Sequence, residues 1–378
     1  MFDFTIDQAD AGSGARVGRV TTPHGAFDTP AFMPVGTRGS VKGVTPDQLI
    51  QSGCQIILAN TYHLHVRPGE AVVRELGGLH AFCGWRGPIL TDSGGYQVFS
   101  LAELNQISDA GVTFRSHVDG ALLQLDAARA IEIQTSLGGD IIMAFDQCPP
   151  LPSPRAPIEA AVGRTIRWAA ECKRVHVERA PAIRRAPQWL FGIVQGGLEL
   201  DLRRECAAAL CDIGFDGYAI GGLSVGETHE QMLEVLGDLV SRLPVDRPRY
   251  LMGVGMPRDI VAAVRCGIDM FDCVLPTRNA RSAFVFTAHG ALRMRNEIHR
   301  GATGPIEDGC DCYACRTFSR GYVRHLFMAG EMLGPILATL HNLRFYQRLM
   351  ARIRYFVRCG NLASITHEFP IASGSASP

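Results

Sequence analysis

Short, unbroken apolar runs recur along the chain, each ending in a polar or small residue. They span Ala31–Val35, Gln55–Asn60, Gly87–Asp92, Asp140–Asp146, Trp189–Gln195, Gly217–Gly222, Arg249–Gly255 and Met270–Pro276. Runs this short and apolar predict strands buried on both faces, as in a parallel sheet. Segments with helical periodicity separate them, among them Ala127–Leu137, Pro157–Val177, Leu200–Ile213, Thr228–Leu243 and Pro257–Cys266. Eight such units in about 280 residues predict an α/β fold, a (β/α)8 TIM-type barrel, with a doubly wound open sheet as the alternative.

In such a barrel, catalytic groups stand at the C-terminal ends of the strands. Those ends hold Asn60, Asp92, Asp146, Gln195, Gly222, Met252 and Asp272. Three carboxylates, two carboxamides, a glycine that admits a ligand to the backbone and a soft apolar side chain suit a flat, hydrogen-bonding heterocycle. Each also has a plain structural reading. Asp92, in Thr91-Asp92-Ser93-Gly94-Gly95, could cap a helix; Asp146 and Asp272 could be paired structural acids. Their shared position at the strand ends favours function.

Composition adds three points. With 378 residues, 47% of them hydrophobic, the chain can bury a large core, and zero net charge argues against a uniformly basic nucleic-acid coat. Charge is nevertheless uneven: residues 277–360 hold thirteen Arg, no Lys and five acids, a local excess of +8. Such a footprint can hold phosphates, or it can be a solvated helical face. The start, Met1 to Asp10, is acidic and short of apolar length, so it does not read as a signal peptide. No apolar run reaches the roughly 18 residues of a membrane span. The twelve cysteines, mostly single within apolar segments, read as reduced, cytoplasmic usage. Ala372–Pro378 reads as a disordered end. The organisation expected is a barrel body over 1–276, a basic segment, zinc subdomain and closing helix over 277–362, and a tail over 363–378.

Cys310-Asp311-Cys312-Tyr313-Ala314-Cys315 is a C-x-C-x-x-C cluster whose thiolates can close around one tetrahedral zinc. The fourth ligand could be His325 or His341, with Cys359 further off. His341 lies on a long amphipathic stretch, Glu331 to Cys359, that can present it to a packed loop. Four protein ligands make a closed, structural site. His63-Leu64-His65, after the second strand, has the His-x-His look of metal-dependent barrel hydrolases. The later strand ends lack the further ligands those enzymes need, so both histidines read as structural.

Several longer motifs match one family. They are Phe32-Met33-Pro34-Val35-Gly36-Thr37, Leu90 through Phe99 (LTDSGGYQVF), Phe191 through Gly197 (FGIVQGG), Ile220 through Glu227 (IGGLSVGE), Tyr250 through Gly255 (YLMGVG) and Met270 through Arg278 (MFDCVLPTR). From about Thr22 to Leu362 the sequence closely resembles bacterial tRNA-guanine transglycosylases, also called queuine tRNA-ribosyltransferases. The resemblance implies exchange of the wobble guanine of certain tRNAs for the deazaguanine preQ1 through a covalent enzyme–RNA intermediate. It implies Asp272 as nucleophile and Asp92 as general acid/base. Tyr96 and Met252 would sandwich the base, and Ser93, Gly94, Gly95, Asp146, Gln195, Gly222 and Leu223 would line or hydrogen-bond it. Two stretches would contact the anticodon loop: Gly253, Val254, Gly255, Met256, Pro257, Arg258 and Asp259, then Thr277, Arg278, Asn279, Ala280 and Arg281. Cys310, Cys312, Cys315 and His341 would be the ligands of one structural Zn2+, and a homodimer is implied. Val225 and Cys148 resemble the pattern that takes preQ1, where the eukaryotic queuine-using subunit has a glycine near Val225.

The sequence departs from the family in places. Gln147 stands where a Glu is expected, which bears on hydrogen bonding beside Asp146. Pro149 replaces a usual Thr, and Ser282-Ala283 replaces an Asn-Gly turn. Archaeal relatives carry further C-terminal domains for which this chain ends too soon, and the non-catalytic eukaryotic subunit lacks the acidic pair kept here. A zinc-stabilised RNA-binding module without activity and a metallohydrolase using His63 and His65 are the readings from other classes.

Overall fold

The computed structural model describes residues 2–101, 105–116, 118, 120–179 and 187–374. All eight expected strands form. They are β1 (Ala31–Pro34), β2 (Ile57–Ala59), β3 (Ile89–Thr91), β4 (Ile141–Met143), β5 (Trp189–Val194), β6 (Gly217–Ile220), β7 (Arg249–Leu251) and β8 (Met270–Cys273). They pair in parallel in the order β1–β8–β7–β6–β5–β4–β3–β2. A parallel bridge between Val35 and Leu58, with the Gly36 N–H donating to the Leu58 carbonyl at 2.7 Å, closes the ring. The fold is therefore the TIM-type barrel and not the open sheet.

The barrel's inside is filled by side chains from alternate strand positions, among them Met33, Leu58, Leu90, Met143, Ile193, Ala219, Tyr250 and Met270. Val20 and Phe27 pack onto the same cluster. They come from an antiparallel sheet, Asp3–Ala9, Arg16–Thr22 and Gly25–Thr29, which plugs the N-terminal end. A buried ion pair fastens that plug: Arg16 Nη2 meets Asp269 Oδ2 at 2.6 Å, just before β8. The outer helices end where their sequences dictate. The Asp126 carboxylate accepts from the Arg129 N–H at 2.7 Å at the start of helix Ala127–Leu137, and Gly138 closes it in the left-handed region. Thr228 and Gln231 form a reciprocal capping box ahead of helix His229–Leu239.

After β8 the chain makes a short helix, Leu275–Arg281, then a hairpin, Phe284–Thr287 with Gly290–Arg293, and then the cysteine cluster. Helix Leu333–Arg358 returns to the barrel wall. Its Gln347 donates to the Phe32 carbonyl at 3.0 Å and its Tyr346 hydroxyl to the Gly255 carbonyl. Short helical turns from Leu362 to Ser373 bury Ile365, Phe369 and Ile371. Ala372, expected at the head of a disordered end, is buried as well, because it packs with these residues on the core; residues 375–378 lie outside the described residues.

Candidate active site

The C-terminal strand ends surround a cavity of about 460 Å³. Asp92, Asp146 and Asp272 all line it, so three carboxylates from different strands share one mouth. Asp92 is buried just beyond β3, where its oxygens accept from the Thr61 N–H at 2.7 Å, the Gln97 amide at 2.8 Å and the Asn60 amide. Burial pushes its pKa up to about 6; these hydrogen bonds oppose the rise, and the charge of Asp272 adds to it. Such a carboxyl group can hold or release a proton near neutral pH.

Asp272 stands at the end of β8. Its Oδ1 accepts from the Tyr250 hydroxyl at 2.6 Å and the Gly253 N–H at 2.8 Å. Burial raises its pKa, with those two donors pulling the other way. Oδ2 has no hydrogen bond among the described residues. One oxygen is thus fixed by the protein while the other faces the cavity, as an attacking carboxylate requires.

Asp146, past β4, is buried and held by the Ser93 hydroxyl at 2.8 Å and by Gln195 Nε2 at 2.7 Å. Its pKa is likewise raised by burial. The Gln195 Oε1 atom is buried without a partner among the described residues, an acceptor kept for something that enters the site. Two glycines are dictated by crowding. A Cβ on Gly95 would come within 2.6 Å of the Asp146 carbonyl oxygen; one on Gly222, whose φ is +64°, would come within 2.5 Å of Gln195 Oε1. Gly94, at φ +79°, makes the turn that brings Gly95 there.

Tyr96, Met252, Leu223, Val225, Cys148 and His63 are also part of the lining. Tyr96 is 51% exposed, with its ring free to stack on a ligand. Gln147 is not among the lining residues. Its side chain accepts from Arg164 at 3.0 Å, outward on helix Arg155–Arg179, so the departure from Glu does not change the side chains that line the cavity. Ala283, where the family has glycine, takes φ +62°, a strained choice costing on the order of 1 kcal/mol.

The rim follows the cavity. Met256, Arg258, Arg278 and Arg281 are exposed, while Val254, Gly255, Pro257, Thr277 and Ala280 are buried beneath them and Gly253 and Asn279 are half-buried. Asp259 pairs with His229 at 2.6 Å. The basic C-terminal third divides: Arg344, Arg348, Arg352 and Arg358 pair with Asp311, Glu307, Glu368 and Asp7, whereas Arg278 and Arg281 make no ion pair among the described residues. Part of the basic charge read from sequence is therefore tied up in ion pairs, while Arg278, which is not, lines the mouth.

Away from the mouth, Cys310, Cys312, Cys315 and His341 converge in a group that can hold a metal ion. The three sulfurs lie 3.7, 3.7 and 3.3 Å from His341 Nδ1. Tetrahedral bonds of ordinary zinc length separate S and N by about 3.6 Å, so the donors fit one ion. His341 Nε2 donates to the Phe286 carbonyl at 2.7 Å, which turns Nδ1 toward the thiolates. The other sequence candidates drop out: His325 stacks near Tyr322, and Cys359 is exposed. His65 is bound to Glu70 at 2.7 Å, and neither it nor His63 joins a metal-ligating group among the described residues. Reading the sequence did not single out Gln97, Thr61 or Tyr250 for a role. A tyrosine inside a strand run reads as core, and only its hydrogen bond to Asp272, two residues along the neighbouring strand from its register partner Met270, gives its hydroxyl a purpose.

Comparison with known proteins agrees with this arrangement. The family model described as queuine tRNA-ribosyltransferase matches residues 10–373. The queuine tRNA-ribosyltransferase of Marinobacter nauticus is 52% identical over 96% of both chains. That of Acetivibrio thermocellus is 54% identical over 94% of both, and that of Saccharophagus degradans is 49% identical over 100% of this chain and 98% of its own. This chain is thus a glycosyltransferase-type enzyme, and it belongs to the queuine tRNA-ribosyltransferase family.

Proposed function

We propose that the enzyme exchanges the wobble guanine of tRNA for preQ1 in two displacements at one ribose carbon. The observation that carries this is the pair of carboxylates, Asp272 with one oxygen uncommitted and Asp92 with a near-neutral pKa, on one cavity. In the first half, the Asp272 carboxylate attacks C1′ and the C1′–N9 bond breaks. Its electron pair stays on the purine, which takes a proton from Asp92. In the second half, N9–H of the incoming base gives its proton to Asp92 as N9 attacks C1′, and Asp272 leaves as the free carboxylate.

A nucleobase must leave its stack to be reached, and Tyr96 and Met252 provide faces for it to stack between. Asp146 accepts from the N–H edge of the guanine ring, while the Gln195 amide and the Gly222–Leu223 peptide meet its remaining polar atoms. Against three carboxylates the lining sets one guanidinium, Arg278. That balance favours preQ1, whose aminomethyl group is cationic, over neutral guanine. Exposed Met256, Arg258, Arg278 and Arg281 would meet the anticodon loop, with the buried members of both stretches holding them in place. The Cys3His group would carry one zinc, folding the region around it and taking no part in the exchange. The enzyme would act as a homodimer in the cytoplasm; among the described residues no helix is long and apolar enough to cross a membrane.

The test is a trapped intermediate. Mixed with tRNA in the absence of preQ1, the protein should give a complex that survives denaturing electrophoresis and is discharged by preQ1. Asp272→Asn should give none. A denaturant-stable complex from Asp272→Asn would move the nucleophile to Asp92 or Asp146.

A further inference from the structure

At the opposite end of the barrel from the mouth, three side chains from distant parts of the sequence meet. His24 lies in the turn between strands Arg16–Thr22 and Gly25–Thr29, His80 on helix Leu79–Cys83, and Asp140 immediately before β4. The two imidazoles stack with ring centres 3.6 Å apart. Both reach one carboxylate: His24 Nδ1 is 2.8 Å from Asp140 Oδ1, and His80 Nε2 is 3.1 Å from Oδ2. The carboxylate is fully buried and is oriented by the Ile89 N–H at 2.9 Å.

Beside this cluster is a cavity of about 180 Å³, lined by the same three residues together with Thr135 and Gln188. Thr135 Oγ1 and Gln188 Oε1 are buried and have no hydrogen-bond partner among the described residues. Buried polar atoms are rarely left so, unless a water or an ion completes them. Nothing in the exchange reaction calls for this cluster, which stands across the whole barrel from Asp92 and Asp272.

We propose that His24, His80 and Asp140 form a second site for a divalent transition metal, zinc or an ion of similar preference, at the N-terminal end of the barrel. All three ligand atoms lie within 4.8 Å of one another. Bonds of about 2.1 Å place cis donors about 3.0 Å apart and tetrahedral donors about 3.4 Å apart. His24 Nδ1 and His80 Nε2 lie 2.8 and 3.1 Å from different oxygens of Asp140, close to that range, so either oxygen or both can turn to an ion held between the rings. Two imidazoles and a carboxylate suit zinc, nickel or ferrous iron better than magnesium or calcium. On binding, each ring moves its proton to its other nitrogen, and no redox change is needed. The remaining positions take water, for which Gln188 Oε1 and Thr135 Oγ1 are ready acceptors. The ion would tie the N-terminal sheet to helix Leu79–Cys83 and to β4, a stabilising task typical of this end of a barrel.

The experiment is zinc stoichiometry by equilibrium dialysis of the full chain at micromolar free Zn2+, on wild type, His24→Ala and His80→Ala. Wild type should bind one more equivalent than either variant. Its thermal midpoint should rise with added Zn2+, while those of the variants stay fixed. If either alanine variant fails to fold, His80→Asn keeps a hydrogen bond to Asp140 and serves in its place. Equal zinc content in wild type and folded variants overturns the proposal, as does a zinc-dependent rise in midpoint that persists in His24→Ala.

Discussion

Burial makes Asp92 hold its proton more tightly, and it also costs stability. The folded protein holds that proton more tightly than the unfolded chain, whose carboxyl has the model value 3.8 against about 6 here. Its stabilising contribution is therefore complete below about pH 4 and lost as pH rises through about 6. Above that, the buried charge costs on the order of 3 kcal/mol. Asp92→Asn carries no such charge. Its stability relative to wild type should be greater at pH 8 than at pH 4, by on the order of 1–3 kcal/mol in urea unfolding, while exchange falls by two or more orders of magnitude. A relative stability that does not change with pH would mean Asp92 is ionised at no cost. Val225 sets a different limit. It lines the cavity with Cys148, and the cyclopentenyl group of queuine should collide there. Wild type should take preQ1 well and queuine poorly, and Val225→Gly should narrow that gap at least tenfold in kcat/KM, about 1.4 kcal/mol. Equal use of both bases by wild type would remove Val225 from the argument.

Among the elements, the cysteine-bearing region depends most on its ligands. Its own core is a small cluster built around Val285, Met294, Ile306, Val323, Phe327 and Leu337. Structural zinc supplies roughly 10 kcal/mol or more to such regions. Cys312→Ala should lose the ion and expose residues 303–343 to protease, and limited proteolysis with elemental analysis should show both losses together. Zinc retained at the wild-type level would mean that Cys312 is not a ligand. The eight barrel strands were legible because each is buried on both faces and so reads as an unbroken apolar run. The N-terminal sheet and the meander Asn105–Ser108, Gly111–Arg115 and Leu122–Leu125 were not. Strand Asp3–Ala9 shows why: nearly every residue in it is exposed, so no apolar pattern marks it. The three carboxylates of the site were legible as strand ends. Their hydrogen-bond donors were not, since Tyr250 and Gln97 acquire a role only when neighbouring strands and turns are placed beside them.

Taken whole, the molecule leaves apolar side chains exposed around the cysteine-bearing region: Tyr322 at 40%, Met328 at 55% and Met332 at 80%. A second copy would cover them. Sedimentation equilibrium should give twice the chain mass of 41.0 kDa, and Tyr322→Asp with Met332→Asp should give single chains that keep their zinc. A wild-type mass of one chain at micromolar concentration would remove the dimer.

The ring of strands is also not uniformly fastened. β8 joins β1 through four registered residue pairs, from Met270–Ala31 to Cys273–Pro34, whereas among the described residues β1 meets β2 at the single Val35–Leu58 bridge, and β3 meets β4 at the single pair Leu90–Ile141. Asp272 stands on the well-laced side of that join, whereas Asn60, which steadies Asp92, hangs from β2. Warming should therefore loosen the setting of Asp92 before that of Asp272. Hydrogen exchange at the Gly36 amide should quicken at temperatures where the Gly253 amide, bound to Asp272, is still protected, and because Asp92 handles the proton in both displacements, capture and release should slow together while the protein still holds RNA.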